Sequence, residues 1–285
     1  MFSVKDLFFQ YPKNEAPTLK GISFEIAQGE IFGFLGPSGA GKTTTQKLLV
    51  KLLPYSQGTI TFNGKDLHSY TNAFYEDIGV CFEMPISFSK LTAMENLHFF
   101  QKLYKNHADI QPLMERLGLW EDRDKLVAEY SKGMKIRLNL VRALLNQPKM
   151  LFLDEPTNGL DPKNARIVKD MIRDFAKAGG TVFLTSHIMS DVDELCDRVA
   201  FIADGVLTEI DSPRNLKIKY GQKTVALEYN DNGQVQRQDF PMSAITTDDF
   251  TQFLRSHAIE TIHSGETTLE EIFIHVTGVK LHGED

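Results

Sequence analysis

Residues 36–43 have the composition and spacing of a phosphate-binding loop (P-loop). They read Gly-Pro-Ser-Gly-Ala-Gly-Lys-Thr and fit the pattern G-x-x-x-x-G-K-[ST]. Glycines let the backbone curl so that several N–H groups point at phosphate oxygens, and Lys42 adds a positive charge near the β- and γ-phosphates. The hydroxyl of Thr43 can ligate Mg²⁺. These residue types in this order predict a nucleoside-triphosphate site.

The segments on both sides of the P-loop support this interpretation. The apolar run 31–35 predicts a buried strand, and residues 43–53 predict a helix that Pro54 closes. A strand, a glycine-rich loop and a helix N-terminus together form an anion-binding site, because the first helical N–H groups point at the ligand.

Two acidic residues and one histidine follow apolar runs later in the chain. The run 150–153 ends in Asp154, and in P-loop ATPases the acid at this place holds Mg²⁺. Glu155 comes next, where a carboxylate can orient and deprotonate an attacking water. His187 follows the buried strand predicted over 181–185, and a neutral imidazole there can hydrogen-bond phosphate. Such positions lie at the carboxyl ends of parallel strands, where ligands bind.

A second phosphate-binding candidate precedes the predicted helix over 135–146. Residues 130–134 read Tyr-Ser-Lys-Gly-Met, and the Ser131 side chain and the Gly133 backbone would lie at the helix N-terminus, a position suited to holding phosphate. On its own this sequence predicts only a helix cap. Its meaning depends on its place between the P-loop and Asp154.

Together these motifs resemble the ATP-binding subunit of ATP-binding cassette (ABC) transporters, in the family's order, from about residue 4 to residue 216. The resemblance implies that the nucleotide is ATP, that Mg²⁺ accompanies it, and that the activity is ATP hydrolysis. The implied catalytic residues are Glu155, His187 and Lys42. The implied metal ligands are Thr43, Glu83 and Asp154.

The same resemblance assigns nucleotide contacts. Tyr11 matches the aromatic residue that stacks on adenine, residues 36–43 match the Walker A loop, and residues 151–155 match Walker B. Residues 130–134 match the family's signature loop, and residues 158–161 match its D-loop. The implied contacts with the nucleotide are Tyr11, Gly36, Pro37, Ser38, Gly39, Ala40, Gly41, Lys42, Thr43, Thr44, Ser131 and Gly133.

Two places depart from the family pattern. In the signature loop, Lys132 replaces the first glycine and Met134 replaces the glutamine, as in many export-type relatives. Glu83 stands where a glutamine is usual, and it would offer Mg²⁺ a full negative charge instead of an amide oxygen. That charge can tighten metal binding or repel the triphosphate, and the sequence does not fix the sign. The segment 268–273 also resembles the end of export-type cassettes.

The predicted fold class is α/β. It is a P-loop NTPase with a mixed or parallel core sheet, because apolar strands alternate with helical segments, plus an antiparallel β subdomain. A helical subdomain that carries the signature loop is expected at about 85–147. The ATPase domain would span 1–219, and a small C-terminal α+β appendage would span 220–285.

Composition limits the alternatives. The chain has 285 residues, 42% of them hydrophobic, which is enough to bury a core. A net charge of −7 argues against a nucleic-acid partner. No apolar stretch reaches the roughly 18–20 residues that cross a bilayer, and the N-terminus lacks a signal-peptide pattern. Cys81 and Cys196 lack metal-site spacing and predict two buried thiols.

The resemblance also implies partners. Two cassettes would sandwich ATP head to tail, so that Ser131 and Gly133 of one chain complete the site of the other. An integral membrane permease subunit would hold the pair at the cytoplasmic face of the cell membrane, with export favoured over import. The phenylalanines of the helical segment are equally compatible with plain core and with a groove for the permease. They are Phe82, Phe88, Phe99 and Phe100.

Two other classes stay open at this point. One is a soluble ABC ATPase that does not transport, such as a metal-cluster assembly cassette. DNA-repair forms are disfavoured because no long heptad run lies between Thr43 and Asp154. The other is a P-loop kinase or GTPase. The signature loop and His187 argue against it, as does the lack of an Asn-Lys-x-Asp motif.

Overall fold

The computed structural model describes residues 1–84, 86–221, 224–231, 233–265 and 267–279. Contacts divide the described chain into two compact units, Met1–Ser212 together with Val279, and Pro213–Gly278. The sequence-based limits of 1–219 and 220–285 stay predictions. Pro85 at the start of the predicted helical subdomain, Asn232 in the predicted hairpin turn and residues 280–285 of the appendage lie outside the described residues.

A six-stranded sheet carries the first unit. Its strand order is β10-β9-β3-β8-β7-β6, and all neighbours are parallel except β10, which pairs antiparallel with β9. Every residue of β3, β7 and β8 is buried, as expected for parallel strands covered on both faces. The strands are β3 (Ile31–Leu35), β6 (Ile78–Cys81), β7 (Met150–Asp154), β8 (Thr181–Ser186), β9 (Arg198–Ala203) and β10 (Val206–Asp211).

A four-stranded antiparallel sheet packs against this core in the order β2-β1-β4-β5. Aromatic rings join the two sheets. The ring of Phe24 stacks on that of Phe32 at 5.7 Å between centroids, and Phe2 meets Phe152 edge-on at the same distance. The predicted antiparallel subdomain is confirmed. Its strands are β1 (Phe2–Phe9), β2 (Leu19–Ile26), β4 (Gln57–Phe62) and β5 (Lys65–Asp66).

Seven helices complete the described part of the first unit. The predicted capping box of Thr92 and Glu95 is present at the start of α3. Helix α1 ends at Leu49, so its predicted extension to residue 53 is wrong: Lys51 adopts a left-handed φ of 59° that an α-helix cannot continue. The helices are α1 (Lys42–Leu49), α2 (Phe74–Asp77), α3 (Ala93–Gln101), α4 (Ile110–Arg116), α5 (Lys132–Leu144), α6 (Pro162–Lys177) and α7 (Met189–Leu195).

The second unit is a small α+β structure. A three-stranded antiparallel sheet has the order β12-β11-β13, and Val225, Leu227 and Phe250 form its core. The last helix begins with a Thr268 capping box and ends at Gly278, where φ is 70°. The elements are α8 (Pro213–Tyr220), β11 (Thr224–Asp231), β12 (Gln234–Pro241), α9 (Asp248–Ser256), β13 (Ala258–Gly265) and α10 (Leu269–Thr277).

Three smaller features complete the description. Within the described residues, no helix is both long and apolar enough to span a bilayer. Both cysteines are buried free thiols, as predicted, and burial raises the pKa of Cys81 to about 12. Short 3₁₀ turns occupy Leu67–Ser69, Trp120–Asp122, Val127–Glu129 and Met242–Thr246.

Candidate nucleotide site

The P-loop connects β3 to α1 and depends on its glycines at two points. A Cβ at Gly36 would lie 2.2 Å from the carbonyl oxygen of Ile202, so a side chain there would collide with strand β9. Gly41 immediately precedes α1 with a φ of 111°, which other residues rarely adopt. The sequence therefore fixes a loop that turns tightly against the sheet and enters the helix at Lys42.

Lys42 lies at the mouth of this loop. Its Nζ donates to the carbonyl oxygens of Gly36 at 2.6 Å and Pro37 at 3.1 Å. Burial lowers the pKa of Lys42, while the nearby negative charges of Glu155, Asp154 and Glu83 act in the opposite direction. The site thus places one buried cation among three carboxylates, an arrangement suited to a ligand that carries negative charge and a metal ion.

Asp154 is the most buried of these acids, with 4% of its surface exposed. Both of its oxygens accept hydrogen bonds: Oδ2 from the hydroxyl of Thr43 at 3.1 Å, and Oδ1 from the hydroxyl of Thr185. The register of β7 and β8 sets Asp154 directly beside Thr185. Sequence reasoning missed the Thr185 contact because nothing in the sequence reports which residues of two strands are neighbours.

Glu155 sits in a turn that directs its side chain to His187. Its φ is 51°, and its N–H donates to the carbonyl of Thr185 at 3.0 Å. Oε1 lies 2.9 Å from Nδ1 of His187, and Oε2 accepts from the Ser186 hydroxyl and from the His187 N–H, both at 3.3 Å. The carboxylate is therefore oriented by three groups at the end of β8. Ser186 is another residue that the motifs did not indicate.

One cavity brings most of the predicted residues together. Of the residues assigned to the nucleotide or metal, Tyr11, Ser131 and Gly133 do not line it within the described structure. Neither do Gly36, Pro37 and Ala40, which form the loop behind it. The lining residues are Ser38, Gly39, Gly41, Lys42, Thr43, Thr44, Glu83, Asp154, Glu155 and His187.

Tyr11 contacts a residue that lines the cavity, and Glu83 lines it directly. The Tyr11 hydroxyl shares a hydrogen bond of 3.3 Å with the Thr44 hydroxyl, and its ring packs edge-on against Phe9. The exposed Glu83 lines the cavity, and its Oε1 accepts from Nδ2 of Asn158 at 3.5 Å. Tyr11 is thus connected to the start of α1, and Glu83 to the segment 158–161.

The segment 130–134 packs on the segment 158–161 of the same chain. Ser131 caps α5, its hydroxyl accepting from the N–H of Met134 at 3.2 Å. A Cβ at Gly133 would lie 3.3 Å from Cδ2 of Leu160, and a Cβ at Gly159 would lie 2.9 Å from Nζ of Lys132. Lys132, the departure from the family pattern, therefore lies across Gly159, a contact that sequence reasoning missed.

Two polar side chains of α5, the buried Asn139 and the half-buried Arg142, hold the residues on either side of Glu83. Nδ2 of Asn139 donates to the carbonyl of Phe82 at 3.0 Å, and Arg142 donates to the carbonyl of Ile86 at 2.6 Å. Sequence reasoning did not assign them a role. The one feature of the sequence that could have indicated such a role is that both are polar residues on a helix rich in apolar residues.

A P-loop whose lysine faces two acids and a histidine at the ends of parallel strands defines a nucleotide-hydrolysing protein. Residues 19–158 match the family model described as ABC transporter, and residues 223–266 match a model described as fluoroquinolone efflux ABC transporter C-terminal domain. The second match falls within the small C-terminal unit.

Curated relatives agree. A fluoroquinolones export ATP-binding protein of Mycobacterium tuberculosis H37Rv is 48% identical and covers 98% of this chain and 93% of its own length. A bacitracin transport ATP-binding protein of Bacillus licheniformis is 40% identical over 66% of this chain and 62% of its own length. The chain belongs to the ABC transporter family, as an ATP-binding subunit that hydrolyses ATP.

Solved structures show the same fold. An ATP-binding subunit of an ABC transporter aligns with a TM-score of 0.71 and 25% identity, covering 77% of this chain and 93% of that one. A cassette in a dimeric post-hydrolysis state with ADP and phosphate aligns with a TM-score of 0.68 and 21% identity, over 74% and 98%. These matches confirm the predicted resemblance and fold class. The family model and the curated relatives favour a transport ATPase over the kinase, GTPase and metal-cluster alternatives.

Proposed function

We propose that this ATPase works with an integral membrane permease to export fluoroquinolone-type compounds. The supporting observation is the extent of the similarity: the M. tuberculosis relative aligns over 98% of the chain, and the C-terminal model covers 223–266. Similarity restricted to the ATPase core would support transport in general. Similarity that includes the second unit supports the narrower cargo class.

In this proposal the hydrolytic residues act as one constellation. Lys42 and the N–H groups of the P-loop bind the β- and γ-phosphates. Glu155 takes a proton from the attacking water, because its carboxylate is the ionisable group already oriented at the cavity by Ser186 and His187. His187 contacts the γ-phosphate and keeps that carboxylate in place. Tyr11 stacks on the adenine.

The residues present also fit Mg²⁺. The Thr43 hydroxyl and an Asp154 oxygen lie 3.1 Å apart, and hard oxygen donors are the ligands that Mg²⁺ prefers. No cluster of three or more His, Cys, Asp or Glu suitable for a metal occurs in the described ranges, and Mg²⁺ typically uses one or two carboxylates plus substrate phosphates. When bound, it would neutralise phosphate charge. Glu83 is the third proposed ligand.

Completion of the site by a second copy of the chain is part of the proposal. Ser131 and Gly133 do not line the cavity formed by their own chain, and Lys132 and Gly133 pack instead on the segment 158–161. In a two-fold dimer, the same loop would reach the nucleotide held by the partner. ATP would then hold two copies together, and hydrolysis would release them, a two-state equilibrium shifted by a ligand.

An exposed apolar surface beside Glu83 supports a permease partner at the cytoplasmic face of the membrane. Phe88 and Phe99 are 47% and 46% exposed, and their rings meet edge-on at 5.0 Å. Met84 and Ile86 next to them are exposed further. Phe82 packs against the hydrophobic core, so only the exposed pair, Phe88 and Phe99, supports the alternative of a groove for the permease. Docking there would act on the nucleotide through Glu83, which is close in the chain.

Drug susceptibility tests the cargo. The chain and the permease subunit encoded next to it would be expressed together in a susceptible bacterium, with Glu155→Gln as the matched inactive control. We expect a higher inhibitory concentration for fluoroquinolones, dependent on both subunits and lost in Glu155→Gln. Protection against bacitracin but not fluoroquinolones would overturn the proposed cargo class. If no membrane subunit co-purifies with the chain, the proposed permease partner is wrong.

A further inference from the structure

Four charged side chains form a cluster between helices α6 and α7. Nζ of Lys169 donates to Oδ1 of Asp191 at 3.2 Å and to Oε2 of Glu194. One turn further along α6, Arg173 donates to the other oxygen of Glu194. Lys169 and Arg173 of α6 therefore both contact carboxylates of α7, and Glu194 bridges these two cations.

The cluster is more than a surface pairing. The side chains of Lys169 and Asp191 are only 15% and 13% exposed, so water screens this ion pair much less than one at the open surface. Hydrogen bonds from Lys169 and Arg173 lower the pKa of Glu194. Glu194 therefore stays ionised at neutral pH and keeps both contacts.

Each helix continues directly from a part of the proposed site. Helix α7 begins two residues after His187. It lies close to the sheet at Gly33, where a Cβ would be 3.1 Å from Cγ1 of Val192 in α7 and 2.8 Å from Sγ of Cys196 just after it. Helix α6 begins after the segment 158–161, and Asp161 caps it. That segment packs on Gly133 through Leu160, and the Asn158 N–H donates to the Glu155 carbonyl at 3.1 Å.

We infer that the cluster of Lys169, Arg173, Asp191 and Glu194 is a positioning element that fixes the segment 158–161 relative to His187. Apolar contacts hold each helix on the sheet, and hydrogen bonds at two successive turns of α6 add directional constraints between α6 and α7. The cluster thus connects two parts of the proposed site. One is the segment 158–161, which packs on Gly133 of the loop that would reach the partner's nucleotide, and the other is the histidine that would contact the chain's own nucleotide. The inference rests on the proposed roles of His187 and of the loop 130–134, which packs on residues 158–161.

Steady-state kinetics of the full chain with ATP test the inference. Lys169→Met removes the ammonium group but keeps most of the side chain. We expect kcat to fall about tenfold with the KM for ATP changed by less than about twofold, because P-loop contacts stay while the catalytic geometry loosens. Lys169→Arg should restore most of kcat, since it keeps a cation at the same place.

A control on the same helix separates positioning from general stability. Asp174→Asn breaks the ion pair of α6 with Arg116 of α4, whose side chains are 52% and 44% exposed. Its kcat should stay within about twofold of the wild-type value. Thermal unfolding of all variants is measured in parallel, and Glu194→Gln, which changes little in shape, replaces Lys169→Met if that variant does not fold.

Three results would overturn the inference: a kcat for the cluster variants equal to that of Asp174→Asn, a KM that rises in proportion to the loss, or a loss that only follows the unfolding temperature. Lys42→Ala in the same assay tests the proposed site independently. If Lys42→Ala is inactive and Lys169→Met is normal, only the inference fails. If Lys42→Ala is fully active, the proposed site itself is wrong.

Discussion

The two units differ in what they bury. In Met1–Ser212 the interior contains charged and hydroxyl side chains, among them Lys42, Asp154, Glu155 and Thr185. In the described residues of Pro213–Gly278, all the buried side chains are apolar, with Phe250 at the centre of the core. One unit thus contains polar side chains in its interior, whereas the described interior side chains of the other are apolar.

The difference teaches where chemistry is located. A buried charge lowers stability unless hydrogen bonds and opposite charges compensate for it. Asp154 receives two hydroxyl donors and Glu155 receives three donors, so the first unit supplies that compensation at one cavity. The comparison implies that ATP chemistry belongs entirely to the first unit, and the variants below are chosen to break that statement.

The largest effect is expected for Lys42→Ala. The change removes the buried cation together with its bonds to the Gly36 and Pro37 carbonyls, so both phosphate attraction and loop shape suffer. ATPase turnover should fall by about 100-fold or more. Nucleotide binding and steady-state turnover measure it, with Lys47→Ala on the same helix as a control. Unchanged turnover would reject the P-loop assignment.

Glu155→Gln should have the next largest effect. The amide oxygen still accepts from Ser186 but is a very weak base, so turnover should fall about 100- to 1,000-fold while ATP binding persists. Size-exclusion chromatography with ATP should then show dimers that outlast those of the wild-type chain. A monomeric, fully active variant would contradict the proposed base.

Some parts of the fold could be predicted from sequence because burial on both faces determines where the strand begins and ends. Strands β3 and β7 have the predicted extents, since fully buried parallel strands are continuous apolar runs. Strand β6 was not predicted, because four residues with a central glycine give a weak pattern. The predicted end of α1 at residue 53 was wrong, because the residue with a left-handed backbone is Lys51, and a lysine in a sequence does not indicate a turn.

The candidate site divides in the same way. Residues within a motif could be predicted because local spacing alone identifies the P-loop, Asp154 and Glu155. The groups that hold them could not, since the bond from Thr185 to Asp154 depends on the register of two strands. The contact of Lys132 with Gly159 likewise depends on how two loops pack. The catalytic and metal roles themselves stay predictions until the variants are measured.

A moderate effect is expected for Glu83→Gln. Glu83 is exposed at the cavity, so solvent partly screens the interaction of its charge with the metal and the triphosphate. Loss of the charge should raise the Mg²⁺ concentration for half-maximal activity about two- to fivefold and tighten binding of metal-free ATP. Mg²⁺ titrations and nucleotide binding in a chelator measure the two effects separately. Identical titrations, with Glu115→Gln on α4 as the control, would mean that Glu83 does not act on the metal.

The smallest effect on catalysis is expected for Phe250→Ala. Phe250 is buried and meets the Phe240 ring edge-on at 5.1 Å, so its loss should cost the second unit about 3–5 kcal/mol. Limited proteolysis should cut the second unit faster, whereas the exposed control Thr251→Ala should not change the pattern. The kcat for ATP should stay within about twofold of the wild-type value, because every buried polar side chain of the described structure lies in the first unit. A proportional loss of ATPase activity would mean that packing in the second unit also maintains the cavity, and the assignment of ATP chemistry to the first unit alone would then be wrong.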